Sequence, residues 1–302
     1  MKLSDLGEDR LLARLLPRLP LSKSVLAGAG DDCAVVRSPG ENKLILLKTD
    51  CVVEGVHFRR SDAAAAVGWK AMMRPLSDFA AMSGLPQFAL VTLIAPRRTS
   101  VGKIDNFYRG LQRAAARFDV SIVGGETSGT RGPITISVSV IGFVEKDRWV
   151  SRRGGKAGDD LFVTGRLGGS IRGKHLRFVP RIEEARWLTE KFFVHAMMDL
   201  SDGLGTDLPR LAKASNVGFK IDIQSLPLAS GAKIDNAISD GEDFELLFAI
   251  SPRERKRLQT TWRKKFPRLP LTRIGRLFPQ SAVNASPART NPKLKSGFVH
   301  FK

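Results

Sequence analysis

The chain has 302 residues, of which 42% are hydrophobic, and its 49 Lys and Arg against 30 Asp and Glu give a formal net charge of +19. This length can bury a sizeable core and predicts one or two domains, while no apolar run is long enough to span a bilayer. Cys33 and Cys51 alone cannot supply a disulfide framework and lack zinc-site spacing, and the first residues carry no signal-peptide core, so a reducing cytoplasm is expected.

In chain order, residues 5–19 have the leucine spacing of an amphipathic helix closed by Pro17 and Pro20. The turn Gly28-Ala29-Gly30-Asp31-Asp32 leads into one apolar strand. A second apolar run, 44–50, ends in Thr49-Asp50. Residues 63–73 read as a helix. A further helix begins at Leu76-Ser77-Asp78, with Ser77 or Asp78 as its cap and Gly84 as its stop. A buried strand (87–94), a helix (103–118) and a strand (120–123) precede the turn Gly124-Gly125-Glu126-Thr127, and 134–144 alternates as a half-buried strand. Composition shifts to Gly, Lys and Arg across 148–160, which places a domain boundary between 1–148 and 149–302. Beyond it, strands are expected at 161–165, 218–223, 243–250 and 272–277, helices at 183–195 and 201–215, and a surface loop at 286–295.

The basic residues are scattered and show no aromatic-interleaved platform, so no specific nucleic-acid partner is expected. The acids, in contrast, form islands. Residues 196–208 carry Asp199, Asp202 and Asp207, and 234–250 carries Asp235, Asp240, Glu242, Asp243 and Glu245, neither with a Lys or Arg. Carboxylates brought together repel one another unless a cation neutralises them, and hard oxygen ligands suit magnesium shared with nucleotide phosphates. Gly-Asp-Asp is also an ordinary turn, and Ser201 or Asp202 an ordinary helix cap, so each motif alone leaves both readings open. The Gly124-Gly125 turn could cradle a phosphate through backbone N–H groups. No GxxxxGK[ST] loop or strand-linked GxGxxG is present.

Jointly, Gly30-Asp31-Asp32-Cys33-Ala34-Val35, Thr49-Asp50, Glu54-Gly55-Val56-His57-Phe58, Leu76-Ser77-Asp78-Phe79-Ala80-Ala81-Met82, Asp199-Leu200-Ser201-Asp202-Gly203-Leu204 and Gly241-Glu242-Asp243-Phe244-Glu245-Leu246-Leu247 resemble, in that order, the thiamine-monophosphate kinases. The resemblance implies a two-domain α/β (α+β) fold of the aminoimidazole-ribonucleotide synthase-like type, with mixed sheets and a nucleotide cleft between the domains. It implies transfer of the γ-phosphate of ATP to thiamine monophosphate, with several Mg2+ ions and a homodimer built on the N-terminal sheet. By position, Asp32, Thr49, Asp50, Asp78, Glu126, Asp199 and Asp202 would hold metal. Gly125, Arg152 and Ser201 would contact nucleotide, and His57, Glu242 and Phe298 the thiamine end. No general base is implied, since the attacking phosphate is already anionic.

Four features depart from the family pattern. Glu126 stands for the usual Asp, Lys48 for a small hydroxyl residue and Pro75 for Asn, and the segment from Gly165 to Asp199 is short. The alternatives are another ATP-dependent enzyme of the same superfamily and a non-catalytic nucleotide-binding descendant.

Overall fold

The computed structural model describes residues 2–38 and 42–281, together with Leu294 and Gly297. The helix expected at 5–19 is instead two short helices, α1 (Leu3–Leu6) and α2 (Glu8–Leu15). Gly7, at φ 73°, ends the first and redirects the chain. Strands β1 (Val25–Ala27), β2 (Ala34–Arg37) and β3 (Lys43–Val53) then run antiparallel to one another.

Helix α3 (Ala64–Ala81) is one continuous helix, not the two expected at 63–73 and from Leu76, and it runs through Pro75. Proline removes one backbone hydrogen bond and crowds the preceding turn. Burial of almost every side chain from Val67 to Ala81 outweighs that cost. Ser77 and Asp78 are therefore interior residues of the helix rather than caps.

After β4 (Leu85–Pro96) and α4 (Val101–Arg117), the Gly124-Gly125 segment lies inside a long strand, β5 (Ser121–Thr130), not in a turn. With β6 (Thr135–Glu145), the first sheet has the order β1-β2-β3-β6-β4-β5, antiparallel except for the parallel pair β4–β5. Glycine is required in β5 because a Cβ at Gly125 would lie 1.8 Å from the Val91 carbonyl oxygen.

Helices α3 and α4 cross at two glycines. A Cβ on Gly68 would meet the Phe107 carbonyl oxygen at 2.0 Å, and one on Gly110 would meet that of Ala65 at 2.0 Å. Backbone cannot retreat as a flexible side chain can. Gly68→Ala and Gly110→Ala should each destabilise the protein by about 1–3 kcal/mol, through overpacking. Urea unfolding checks this; a loss well below that range would mean the helices can slide apart freely.

The second sheet comprises β7 (Asp160–Thr164), β8 (Val194–Asp199), β9 (Val217–Ile221), β10 (Leu246–Ile250) and β11 (Leu271–Pro279), all antiparallel, in the order β8-β10-β7-β11-β9. Helix α5 (Ile182–Lys191) stops before the expected 195, because Val194 already pairs with Ile250 and the following residues continue the sheet. Helix α6 (Leu204–Ala214) begins after Gly203, not at Ser201. Helices α7 (Ile234–Ser239) and α8 (Arg255–Lys265) had no sequence expectation. In α8 only Leu258 and Trp262, one turn apart, are buried, so its charge conceals its amphipathic face.

Period-two alternation sorts the second sheet between two cores. Phe162, Met197 and Phe248 join Leu46, Met72, Phe79, Leu188 and Trp262 in a core that spans both sheets. Leu161, Val163, Met198 and Leu247 face α6 in a second core. Trp69 of α3 donates its indole N–H to the Phe178 carbonyl across the junction (2.9 Å). Among the described residues no helix is long and apolar enough to cross a membrane. The loop expected at 286–295, apart from Leu294, and Phe298 lie outside the described residues.

Candidate active site

Helix α3 presents Lys70, Arg74, Ser77 and Asp78 at helical spacing along one stripe. Strand β3 meets that stripe with Lys48 and Asp50, two residues apart and so on one face. Asp32 arrives after Gly30, whose φ of 111° turns the chain, and Asp199 comes from the end of β8. The outcome is a trio: carboxylate oxygens of Asp32, Asp78 and Asp199 lie within 4.8 Å of one another, all three residues buried.

Fixed cations border the trio. Lys48 Nζ donates to Asp78 Oδ1 at 2.8 Å and lies 3.9 Å from Asp50 Oδ2. Arg74 Nη2 lies 3.2 Å from Asp50 Oδ1. Arg152 grips Asp32 with Nη2 and Nε at 2.7 and 3.1 Å, while its backbone N–H reaches Asp31 Oδ1 at 3.0 Å. Ser77 Oγ donates to Asp199 Oδ2 at 2.6 Å, and Asp199 Oδ1 is buried without a hydrogen-bond partner. Three converging carboxylates and an orphaned oxygen fit a hard divalent cation.

Burial, with Asp32 nearby, pushes the Asp199 carboxyl up to about 7. Burial also raises Asp78 well above the usual carboxylate range; Lys48 opposes the rise, while Asp199, Asp50 and Asp32 add to it. Burial alone would raise Asp50, yet Arg74 and Lys48 outweigh it and hold the group below its usual range. Asp199 and Asp78 therefore bind protons in the folded, metal-free protein that an unfolded chain, with an aspartate pKa of about 3.9, has lost. Their contribution to stability falls as pH rises. The chelated protein should be more stable at about pH 5 than at pH 8, with Asp199→Asn flattening the slope. Thermal unfolding in chelator across that range checks this; a slope of opposite sign would contradict the burial of these groups.

Two cavities with shared lining residues lie in this region, the larger of them against Asp78 and Asp199. The larger, about 720 Å³, is lined by Lys48, Asp50, Asp78, Arg152 and Asp199. The smaller, about 350 Å³, is lined by Val56, His57, Ser170, Ile171 and Glu242. Arg74, Ser201, Asp202 and Phe244 border both. Glu242 is held by Lys70 at 2.6 Å and Arg74 at 3.5 Å, and its backbone N–H donates to the Ser201 carbonyl at 2.6 Å. Glu242 and Phe244 take φ of 64° and 51°, which side chains seldom adopt and which local packing must sustain. His57 Nδ1 accepts from the Val53 N–H at 3.1 Å, leaving Nε2 to carry the proton in the neutral ring. Asp202 pairs with Arg210 and donates its backbone N–H to the buried Asp207 at 2.9 Å.

Asp32, Asp50, Asp78, Arg152, Asp199, Ser201, Asp202, His57 and Glu242 are thus brought to one cleft. Thr49 and Glu126 are not. The row Cys51–Ser137–Thr92–Glu126 crosses the sheet on the face opposite Asp50, with Glu126 about 14 Å from Cys51, or three strand spacings. Thr49 accepts from Ser139 Oγ at 3.0 Å on that same outer face, and among the described residues Glu126 accepts from its neighbour's N–H, that of Thr127 (2.8 Å). Gly125 lies in the same strand as Glu126. Sequence reasoning missed Lys70, Arg74 and Arg210; the i, i+4, i+8 spacing of Lys70, Arg74 and Asp78 was the available signal.

The family models for the AIR synthase related protein match the chain in both halves, the N-terminal domain over residues 30–144 and the C-terminal domain over 128–280. The thiamine-monophosphate kinase of Rhodopirellula baltica is 36% identical, with 97% of each chain covered, and that of Aquifex aeolicus is 35% identical over 100% of each. The chain belongs to the thiamine-monophosphate kinase family. The solved complex of AaThiL with AMPPCP and TMP superposes with a TM-score of 0.80 at 33% identity, covering 100% of this chain and 96% of that one. Against the family pattern stated above, Lys48 acquires a physical meaning: its ammonium sits between Asp50 and Asp78 as a permanent cation.

Proposed function

We propose that this chain transfers the γ-phosphoryl group of ATP to the phosphate of thiamine monophosphate, giving thiamine diphosphate and ADP. The buried trio Asp32, Asp78 and Asp199, two of whose members line the larger cavity, carries this reading. It is supported by the likeness to AaThiL, whose complex contains AMPPCP and TMP.

The trio would hold Mg2+, with Asp50 and Asp202 at its margins; bound there, the ion would neutralise phosphate oxygens and polarise the transferred group. The chain's own residues position the reactants. Arg152 and Ser201, at the larger cavity, would contact the nucleotide. The Glu242 carboxylate, fixed by Lys70 and Arg74, offers negative charge to the cationic ring of thiamine in the smaller cavity, beside His57. Gly297 also lines that cavity and precedes Phe298 in the chain. The attacking phosphate oxygen is already anionic, so no side chain need take a proton from it. Thr49, Gly125 and Glu126 stand outside this assignment because they lie on β3 and β5 away from the trio.

Residues 1–148 and 149–302 would form the two halves of the enzyme, acting in the cytoplasm, where Cys33 and Cys51 stay free. A homodimer would cover the outer face of the first sheet, where Leu47, Phe88, Leu90, Val123 and Ile141 are exposed.

The deciding experiment incubates the full chain with ATP, thiamine monophosphate and Mg2+ and separates the thiamine esters. Equal amounts of thiamine diphosphate and ADP are expected, and none after chelation. ATP consumption without thiamine diphosphate would move the enzyme to another acceptor.

A further inference from the structure

A third cavity, with a built-in charge surplus, lies on the second sheet, where β7, β9 and β11 meet the start of α8. It measures about 580 Å³ and is lined by Lys220, Arg255, Arg273 and Arg276 over the apolar Ile223 and Phe278. Behind this lining, Asp160 is fully buried at the first position of β7. Arg255 chelates that carboxylate through Nε and Nη2 at 2.6 and 2.9 Å, and Arg273 Nε adds a third bond at 2.7 Å. One bidentate guanidinium already satisfies a carboxylate's charge. Arg273 and Arg276 are in excess of what Asp160 needs.

The sheet register makes the excess costly. Across β9, β11 and β7, Lys220 stands directly opposite Arg276, which stands opposite Asp160. Like charges in directly opposed cross-strand positions destabilise a sheet. Arg276 gains little from Asp160, since its Nε lies 3.6 Å from Oδ1 and is buried without a hydrogen-bond partner. The remaining acid at the rim, Asp222, is engaged by Gln224 N–H (3.2 Å) and Ser225 Oγ (2.5 Å). Four cations against two carboxylates leave two positive charges facing the cavity, with one orphaned N–H among them.

We propose that this cavity binds a small phosphate monoester, its dianionic head between Lys220, Arg273 and Arg276 and its apolar body on Ile223 and Phe278. A dianion there would separate the opposed Lys220 and Arg276 charges and give the surplus guanidinium donors acceptors. A phosphate head matches the forked donors better than a single carboxylate, and a cationic end set beside the apolar Ile223 and Phe278 suits a short ester with a charged head and an apolar body. None of these residues belongs to the cleft assigned above, so this proposal does not rest on the kinase reading.

The test follows the Arg side-chain Nε–H resonances of the full-length, isotope-labelled chain while phenyl phosphate or inorganic phosphate is added. Arg273→Gln and Arg276→Gln assign the signals. Saturable shifts of the Arg276 and Arg273 signals are expected, at lower concentration for phenyl phosphate because its ring covers the apolar wall. Lys220→Gln, a change at an exposed position, should weaken binding roughly tenfold by removing one of the charges. Arg276→Gln should abolish it, with turnover of ATP and thiamine monophosphate unchanged. Equal affinity for the two probes would remove the apolar body and overturn the monoester assignment in favour of free phosphate. An unmoved Arg276 signal, or binding insensitive to Lys220→Gln, would overturn the site itself. Preferential shifts with a short single-stranded RNA would assign the surface to nucleic acid instead.

Discussion

Asp199→Asn is expected to lower turnover by roughly 10³-fold or more, the scale at which charge-stabilising groups act in phosphoryl transfer. Asp199 is the trio member with an unpartnered, fully buried oxygen, and Ser77 already fixes its other oxygen in place. An asparagine keeps the shape and the Ser77 contact but supplies no anion to a divalent ion. It also removes one of three converging buried charges, so the metal-free variant should unfold at higher denaturant at neutral pH. Loss of activity with gain of apo stability separates a metal ligand from a structural aspartate. If the variant kept most of its magnesium-dependent rate, the trio would not be the metal site.

Glu245→Ala should cost about 3–5 kcal/mol of stability, the range for breaking a buried ion pair by removing one partner. Glu245 is buried and accepts from Thr164 Oγ1 at 2.9 Å, Arg181 Nε and Nη2 at 2.7 and 2.8 Å, and Lys174 Nζ at 3.0 Å. Without it, Arg181 and Lys174 are left in a partly buried site with no equivalent acceptor. Both side chains come from the short segment between Gly165 and Asp199, whose Ser170 and Ile171 line the smaller cavity. The variant should therefore also raise KM for thiamine monophosphate more than KM for ATP. Guanidinium unfolding and the two KM values check it; a change under about 1 kcal/mol would reduce the cluster to surface-like pairing.

Strands were legible in the sequence wherever a buried run ended in a clear break, as at β3, β4, β6 and β7. Asp32 and Asp199 were legible from a glycine turn and the end of an apolar run, whereas Asp78 read locally as a helix cap and joined them only through the family resemblance. Two kinds of physics were hidden. Local rules read Ser77 or Asp78 as the start of a new helix and Gly124-Gly125 as a turn, whereas burial of α3 and the close approach of β5 to β4 decided both. The register of the first sheet was also invisible, and it is register that sets Glu126 on the far face from Asp50, whereas Thr49 follows from simple alternation along β3. The counter-charges were missed for a similar reason. Lys70 and Arg74 read as part of a scattered basic surface until α3 turned them towards Glu242 and Asp50.

The core that runs through both sheets bears on how such a protein can change over generations. Leu46, Met72 and Phe79 on the first sheet's side share one core with Phe162, Phe248 and Trp262 on the second sheet's side, and the Trp69 indole donates to the Phe178 carbonyl, more than a hundred residues further along the chain. A half taken from a relative about a third identical would bring differently shaped side chains to that seam and leave voids or clashes there. The two sheets are therefore not exchangeable modules. Recombination within the family would be tolerated at surface loops within a half, and the paired halves would be inherited as a single unit.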